Sequence, residues 1–454
     1  MRRSNLFLFL GLVSPLFGQL QTGQLQTRLT VLRLSMKQAV DIALAPEGST
    51  RVKLAEESLK QAQAQADESR AALLPDFESY VQEENETNNL KAFGFQFPTL
   101  AIPGAPGFSI PTFVGPFNVL DVRASVNQTV FDFSSFRRFQ ASKVAVEATK
   151  SDNEGTRNQV TDQVARAYLA GLQAEAALQT AHANVDLSEA LLKLAQQQKA
   201  AGTGTGIEIT RAEVQLANDR QHLLVAENDV DRTHLQLLKV LGLRLDNPVE
   251  FTDQFTYVPM ENLDEAQALA TARQNRAELK AQDRREENAK LTYSATKLER
   301  LPSLAAFGNY GDLGTSLSNA LPTRAIGATL RIPIFDGGRR DASRAESASL
   351  YRQQRIRTAD LRDQVELDVR IALDSLRSAD AQVKAAEEGL TLSQNELAQA
   401  ERRYKAGVTN SIEVTDAQTR LARARDNRIS ALYNYNLARI DLGTATGTIQ
   451  SMIQ

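Results

Sequence analysis

The sequence predicts a mainly α protein with a small β part: long coiled-coil helices in two tandem repeats, with four short strands among them. Three observations predict it. The stretch KAAGTGTGIEITRAEVQLA around Gly202 returns as YKAGVTNSIEVTDAQTRLA around Gly407. Gly202 pairs with Gly407, Ile207 with Ile412, Glu208 with Glu413, Thr210 with Thr415 and Leu216 with Leu421, all at an offset of 205 residues. A period this long exceeds that of solenoid repeats and points to one large unit duplicated and fused. Upstream of each copy runs a heptad seam, and between the helices lie segments that alternate apolar and polar residues.

The first seam is Val160, Val164, Ala167, Gly171, Ala174, Leu178, Ala181, Val185, Ser188, Leu192 and Ala195. The second is Val365, Val369, Ala372, Leu376, Ala379, Val383, Ala386, Leu390, Ser393, Leu397 and Ala400. Alternating steps of four and three keep one narrow stripe facing a partner helix. Many of these side chains are small, so backbones can approach closely.

Composition narrows the classes. Aromatic residues make up 6% of the 454, Trp is absent, and net charge is −3. That is poor material for several globular cores and gives no field for a nucleic-acid partner. Cys is absent, which excludes disulfides, thiolate metal sites, Cys nucleophiles and a lipidated N-terminal Cys. His182, His222 and His234 are scattered, lack metal-binding spacing, and are expected to be solvated. DGGRR at 336–340 lacks the Lys-Ser/Thr of a phosphate loop. No catalytic, cofactor or metal site is expected, and the protein is expected not to be an enzyme.

In chain order, Arg2 and Arg3 precede an apolar run from Leu6 to Phe17 that ends near Gly18. Residues 1–18 therefore resemble a signal peptide, with a membrane anchor as the competing reading. Residues 19–33 are expected to be flexible. The first repeat, 34–243, opens with a helix from Ser35, a good N-cap, to Leu74, where Pro75 stops it. Short strands follow at Phe77–Gln82 and, after a loop at 83–121, at Val122–Val130. Val122, Ala124, Val126 and Val130 alternate there with Arg123, Ser125, Asn127 and Thr129. The loop carries Phe93, Phe95, Phe97, Phe108, Phe113 and Phe117. It reads either as a surface segment folded over a pore mouth or as an insertion without a defined role.

A long helix then runs from Ser134 to Ala201, about 100 Å at 1.5 Å per residue. A turn and a shorter return helix lead to Gly242. Residues 244–261, with Pro248 and Pro259, read as a linker. The second repeat, 262–447, uses the same parts: a helix to Leu301–Pro302, a strand at Leu304–Tyr310, a strand at Ile326–Ile334, a long helix from Arg339 to Ala406, and a return helix to Gly447. Residues 448–454 form a tail. Both alternating strands run into Phe-Asp, at Phe131–Asp132 and Phe335–Asp336. Such alternation fits a membrane barrel strand or a half-buried soluble strand equally well. Four strands cannot close a barrel, and open edges in lipid are very costly, so in a membrane two or three chains must pool their strands.

MKQAVDIAL (36–44), AALLPDF (71–77), the two Phe-Asp strand ends and RYKAGVTNSIEVTDAQTRLARARDNRISALYNYNLARIDLGTATG (403–447) resemble the TolC-like outer-membrane efflux factor family. The resemblance spans nearly the whole mature chain, and it is the order and duplication of the motifs that make it specific. It implies a homotrimer in which four transmembrane strands per chain make a 12-stranded β-barrel in outer-membrane lipid, continued by an α-helical periplasmic tunnel. It implies the passive exit duct of a tripartite efflux pump or type I secretion system for drugs, small molecules or proteins. The partners would be a periplasmic adaptor (membrane fusion) protein and an inner-membrane transporter. The alternative is a structural periplasmic coiled-coil or adaptor protein without a barrel; an adaptor would show one helical hairpin flanked by compact β modules.

The resemblance also assigns residues. Gly202, Thr203, Gly407 and Val408 match the tips where adaptors dock, although a simple helix stop explains them equally. Glu413 and Asp416 match acids that ring the narrow entrance, although acids in a first helical turn also favour the helix dipole. Glu208 and Tyr404 match a pair that ties the entrance shut. The family prototype carries Arg where this chain has Thr409, which implies a rewired lock, through Arg402 or Arg403, or a looser one.

Overall fold

The computed structural model describes residues 31–94, 111–259 and 264–453. The signal-peptide reading, Phe95, Phe97 and Phe108 lie outside them. Strand β1 (Leu32–Leu34) leads into α1 (Met36–Leu44), and α2 spans Thr50–Ala71. Strands β2 (Asp76–Asn89) and β3 (Phe113–Phe131) precede the long α3 (Phe133–Ala200) and its return α4 (Gly206–Leu241). Strand β4 (Val249–Phe251) sits between the repeats. The second repeat holds α5 (Glu265–Asn275), α6 (Ala277–Leu298), β5 (Ser303–Gly314), β6 (Leu321–Arg331), α7 (Arg339–Lys405) and α8 (Ser411–Thr446). A short α9 (Ile449–Ile453) follows.

The opening helix predicted as continuous is broken in both repeats. In the first, Ser35 caps α1, accepting from the Gln38 amide at 3.2 Å while the Gln38 side chain accepts from the Ser35 amide at 3.0 Å. Pro46 and Gly48 then end α1, and Ser49 caps α2. In the second, the break at Arg276 has a tertiary cause: the end of α8 at Gly447 lies against the backbone of Asn275 and Arg276. The Arg276 guanidinium reaches Glu278 at 3.2 Å, Asp368 at 3.3 Å and the Ala445 carbonyl at 3.3 Å.

The two Phe-Asp motifs also diverge. Asp132 caps α3 directly, accepting from the Ser134 amide at 2.9 Å. In the second copy Gly337 and Gly338 intervene, so Asp336 instead accepts from the Arg340 amide at 3.2 Å and pairs with its side chain.

Seam residues pack as their spacing predicts. Val160, Val164, Ala174, Ala181, Val185 and Ala195 are buried on α3, and Val365, Val369, Ala372, Leu376, Ala379 and Val383 on α7. Helix α3 packs against α4 and α8 as well as α2 and α6, while α7 packs against α8, α6 and α5. Gly171 in the first seam makes room for Phe251, since a Cβ there would fall 2.3 Å from that ring. Phe251 also abuts Tyr168 and His234 edge-on. His234, expected to be solvated, is thus largely enclosed, with Nε2 3.4 Å from Glu175. Residues 32 and 33, expected to be flexible, belong to β1, which pairs in parallel with β4 and anchors through Leu34, 1% exposed.

The other four strands form one antiparallel sheet in the order β2-β3-β5-β6, with β2 and β6 at its edges. Strands β2 and β3 reach well into the predicted 83–121 loop, pairing out to Asn89 and Phe113. Glu83, Glu84 and Glu86 break the apolar alternation there, so this part of the hairpin carried no strand signal. The pairing Phe77↔Val126↔Gly308↔Ile326 puts those residues on one face. Phe77, Val81, Ile326 and Leu330 on that face are 78%, 72%, 87% and 57% exposed. The opposite face carries Phe307, Leu313 and Leu321 but also a polar belt. Arg123 donates to Asp121 at 3.1 Å, Asn309 at 3.0 Å and Thr323 at 3.4 Å, and Tyr80 donates to Asp121 at 3.3 Å, a belt across all four strands. Among the described residues no helix is long and apolar enough to cross a membrane.

Candidate functional site

The residues singled out by the repeat gather at the far ends of the two helical hairpins, α3–α4 and α7–α8. Both long helices stop in the same way. Gly202 and Gly407 adopt φ of +76° and +72°, a region that side chains with a Cβ avoid. The Gly202 and Thr203 amides donate to the carbonyls of Lys199 and Gln198, each at 3.0 Å. The Gly407 and Val408 amides donate likewise to Tyr404 and Arg403, each at 3.0 Å. Two successive amides turned back on the last helical turn satisfy its orphan carbonyls. Val408 is 70% exposed, so the second tip presents a bare apolar side chain.

Each return helix starts with an acid in its first turn. Glu208 accepts from the Thr205 amide at 2.7 Å, closing a capping box at the start of α4. Glu413 is held differently: it accepts from the Thr409 hydroxyl and pairs with Arg403 Nη1 at 3.0 Å. Arg403 and Thr409 thus both hold Glu413 across the second hairpin turn. Asp416 is exposed and makes no ion pair among the described residues.

Tyr404 is 5% exposed and packs with Leu397, Ala400, Val414, Ala417 and Leu421. Burial first, and the Glu208 charge second, push its phenol up from the ordinary value. Tyr404 and Glu208 line one cavity, yet the Tyr404 hydroxyl makes no hydrogen bond among the described residues. The expected pair is brought together but not directly bonded.

Farther from the tips lies a polar node that sequence reasoning missed. Ser188 of α3 donates to Asp219 of α4, Gln215 donates to the same carboxylate at 3.1 and 3.2 Å, and Gln418 of α8 donates to Ser188. Ser188, Asp219 and Gln418 are 1%, 7% and 4% exposed. The node joins the two hairpins, as does Arg425 donating to Asn184 at 2.7 Å. Its signals in the sequence were Ser188, a polar member of the first seam, and Gln418 between the apolar Val414 and Leu421.

Comparison with known proteins supplies the context. The outer membrane efflux protein family pattern matches residues 42–243 and 268–448, most of the chain. The outer membrane protein TolC of Vibrio cholerae is 23% identical over 342 residues, covering 73% of this chain and 77% of that one. The outer membrane efflux protein BepC of Brucella suis is 23% identical over 330 residues, covering 72% of each. Among solved structures, the outer membrane protein VceC of Vibrio cholerae superposes with a TM-score of 0.75 at 17% identity, covering 91% of this chain and 96% of that one.

Proposed function

The chain belongs to the outer membrane efflux protein family, and on that premise we propose that three copies pool their sheets into one 12-stranded barrel whose lumen continues between the helical hairpins. As an outer-membrane efflux channel the protein acts by conducting, and the family is one of channels rather than enzymes. The alternative of a coiled-coil or adaptor protein without a barrel gives way to this reading.

One observation carries the proposal: a four-stranded sheet with exposed apolar side chains on one face, a polar belt on the other, and edges β2 and β6 that pair with no further strand among the described residues. The apolar face suits outer-membrane lipid and the Arg123 belt suits a wet lumen. Neighbouring copies would pair β2 with β6 and leave no edge in lipid. At the opposite end, Gly202, Thr203, Gly407 and Val408 form tips fitted to receive the hairpins of a periplasmic adaptor, which links the duct to an inner-membrane transporter. Glu413, Asp416, Glu208 and Tyr404 stand at the entrance this creates.

Native mass measurement of the detergent-extracted protein tests the assembly: a trimer is expected, and a stable folded monomer refutes the barrel. The tips can be tested separately. The chain has no Cys, so Val408→Cys provides a unique thiol, which should cross-link to a co-purified adaptor, whereas a Cys on the sheet should not.

A further inference from the structure

We infer that the cavity between the two hairpins behind the entrance acids holds one water molecule that ties Glu208 of the first hairpin to Tyr404 and Ser411 of the second. The inference rests on reading this end of the molecule as the channel entrance. The cavity measures about 20 Å³ and is lined by Glu208, Tyr404, Ser411 and Gln418, among others. A single water needs roughly 10–15 Å³ of such space and two to four polar partners.

Two independent side chains call for it. Tyr404 and Ser411 are 5% and 8% exposed, both line the cavity, and neither hydroxyl finds a hydrogen-bond partner among the described residues. Buried hydroxyls are rarely left so, and a bridging water is the usual remedy. Glu208 cannot swing in to serve them freely, because its Oε2 already accepts from the Thr205 amide at 2.7 Å. A water can accept from both hydroxyls and donate to the remaining Glu208 oxygen. A metal ion cannot accept a hydrogen bond and would leave both donors unsatisfied. The raised phenol value of Tyr404 keeps its proton in place for this bond. The contact between hairpins at the entrance is thus a three-way bridge. Ser411, which the repeat comparison did not single out, is one of its anchors.

A high-resolution structure of the detergent-purified assembly should show a peak within hydrogen-bonding distance of Tyr404 Oη and Ser411 Oγ. In planar bilayers, Ser411→Ala and Glu208→Gln should each raise the open-to-closed ratio about threefold to tenfold, the range that one net hydrogen bond spans. Because both act through the same water, the double variant should exceed neither single variant by much. Ser411→Val, which fills the cavity, should match Ser411→Ala in conductance while its unfolding temperature stays near the wild type. A dry cavity, a peak with metal-ion coordination, or fully additive effects would overturn the inference. Wild-type protein that forms no pore would instead sink the channel reading, and the presence or absence of the cavity peak would still decide the water.

Discussion

Arg403 and Glu413 form an ion pair of 3.0 Å across the second hairpin turn, one on the last turn of α7 and the other on the first turn of α8. Glu413 also accepts from Thr409. Both charges of the pair are partly exposed, so it adds little stability, but it cancels the negative charge that Glu413 would bring to an entrance. Asp416, without an ion pair among the described residues, keeps its own.

Ion selectivity should follow that division. Asp416→Ala is expected to weaken cation selectivity and block by multivalent cations more than Glu413→Ala does. Arg403→Gln should strengthen both by releasing the Glu413 charge. Reversal potentials in planar bilayers under a salt gradient measure this. Equal effects from the two acids would mean that the ion pair does not persist in the assembled channel.

The seam should resist added bulk. Ala174 and Ala379 are 8% and 4% exposed in the helix interfaces. Ala174→Leu or Ala379→Leu should destabilise by about 1–3 kcal/mol through overpacking. The yield of assembled protein should fall with it, while Leu at the exposed Gln394 should leave the yield near normal. Thermal unfolding and size-exclusion yield report the difference.

At the tips, backbone angle rather than space sets the cost. A Cβ on Gly407 meets nothing within 4 Å, but its φ is +72°. Gly407→Ala should cost about 1–2 kcal/mol locally, seen as faster amide exchange at Tyr404–Thr409 with assembly intact. Gly407→Asn should be milder, because Asn visits this region more readily.

Tyr404 supplies a pH dependence. Its folded value lies above the unfolded one because burial, then the Glu208 charge, disfavours the phenolate. The folded state therefore holds this proton more tightly. The stability it contributes is complete below about pH 10, the ordinary tyrosine value, and is lost as pH climbs through the higher folded value. Alkaline difference absorbance of wild type against Tyr404→Phe should show one tyrosine ionising late, and Glu208→Gln should bring it earlier.

The long helices, their glycine stops and the alternating strands were legible because each rests on local pattern: heptad spacing, a left-handed turn, or one wet and one apolar face. The break before Ser49 was legible as well, in Pro46 and Gly48, but the strong helical period around it masked them. The break at Arg276 carries no such mark, because the end of α8 and the charges on Asp368 and Glu278 impose it from a distance. The same limit explains the site. Glu208, Tyr404 and Glu413 announce themselves by position in the repeat, whereas Ser188, Asp219, Ser411 and Gln418 acquire meaning only when α3, α4 and α8 meet.

The sheet with two bare edges also has a genetic meaning. If each copy completes its neighbours' barrel, a chain with a spoiled β2 edge cannot fail alone, since it leaves sound partners with strand groups that lipid will not solvate. Co-expressed with the wild type, such an allele should be dominant, and the number of working pores should fall with the cube of the sound fraction. Damage to a hairpin tip that leaves the edges whole should dilute far more gently.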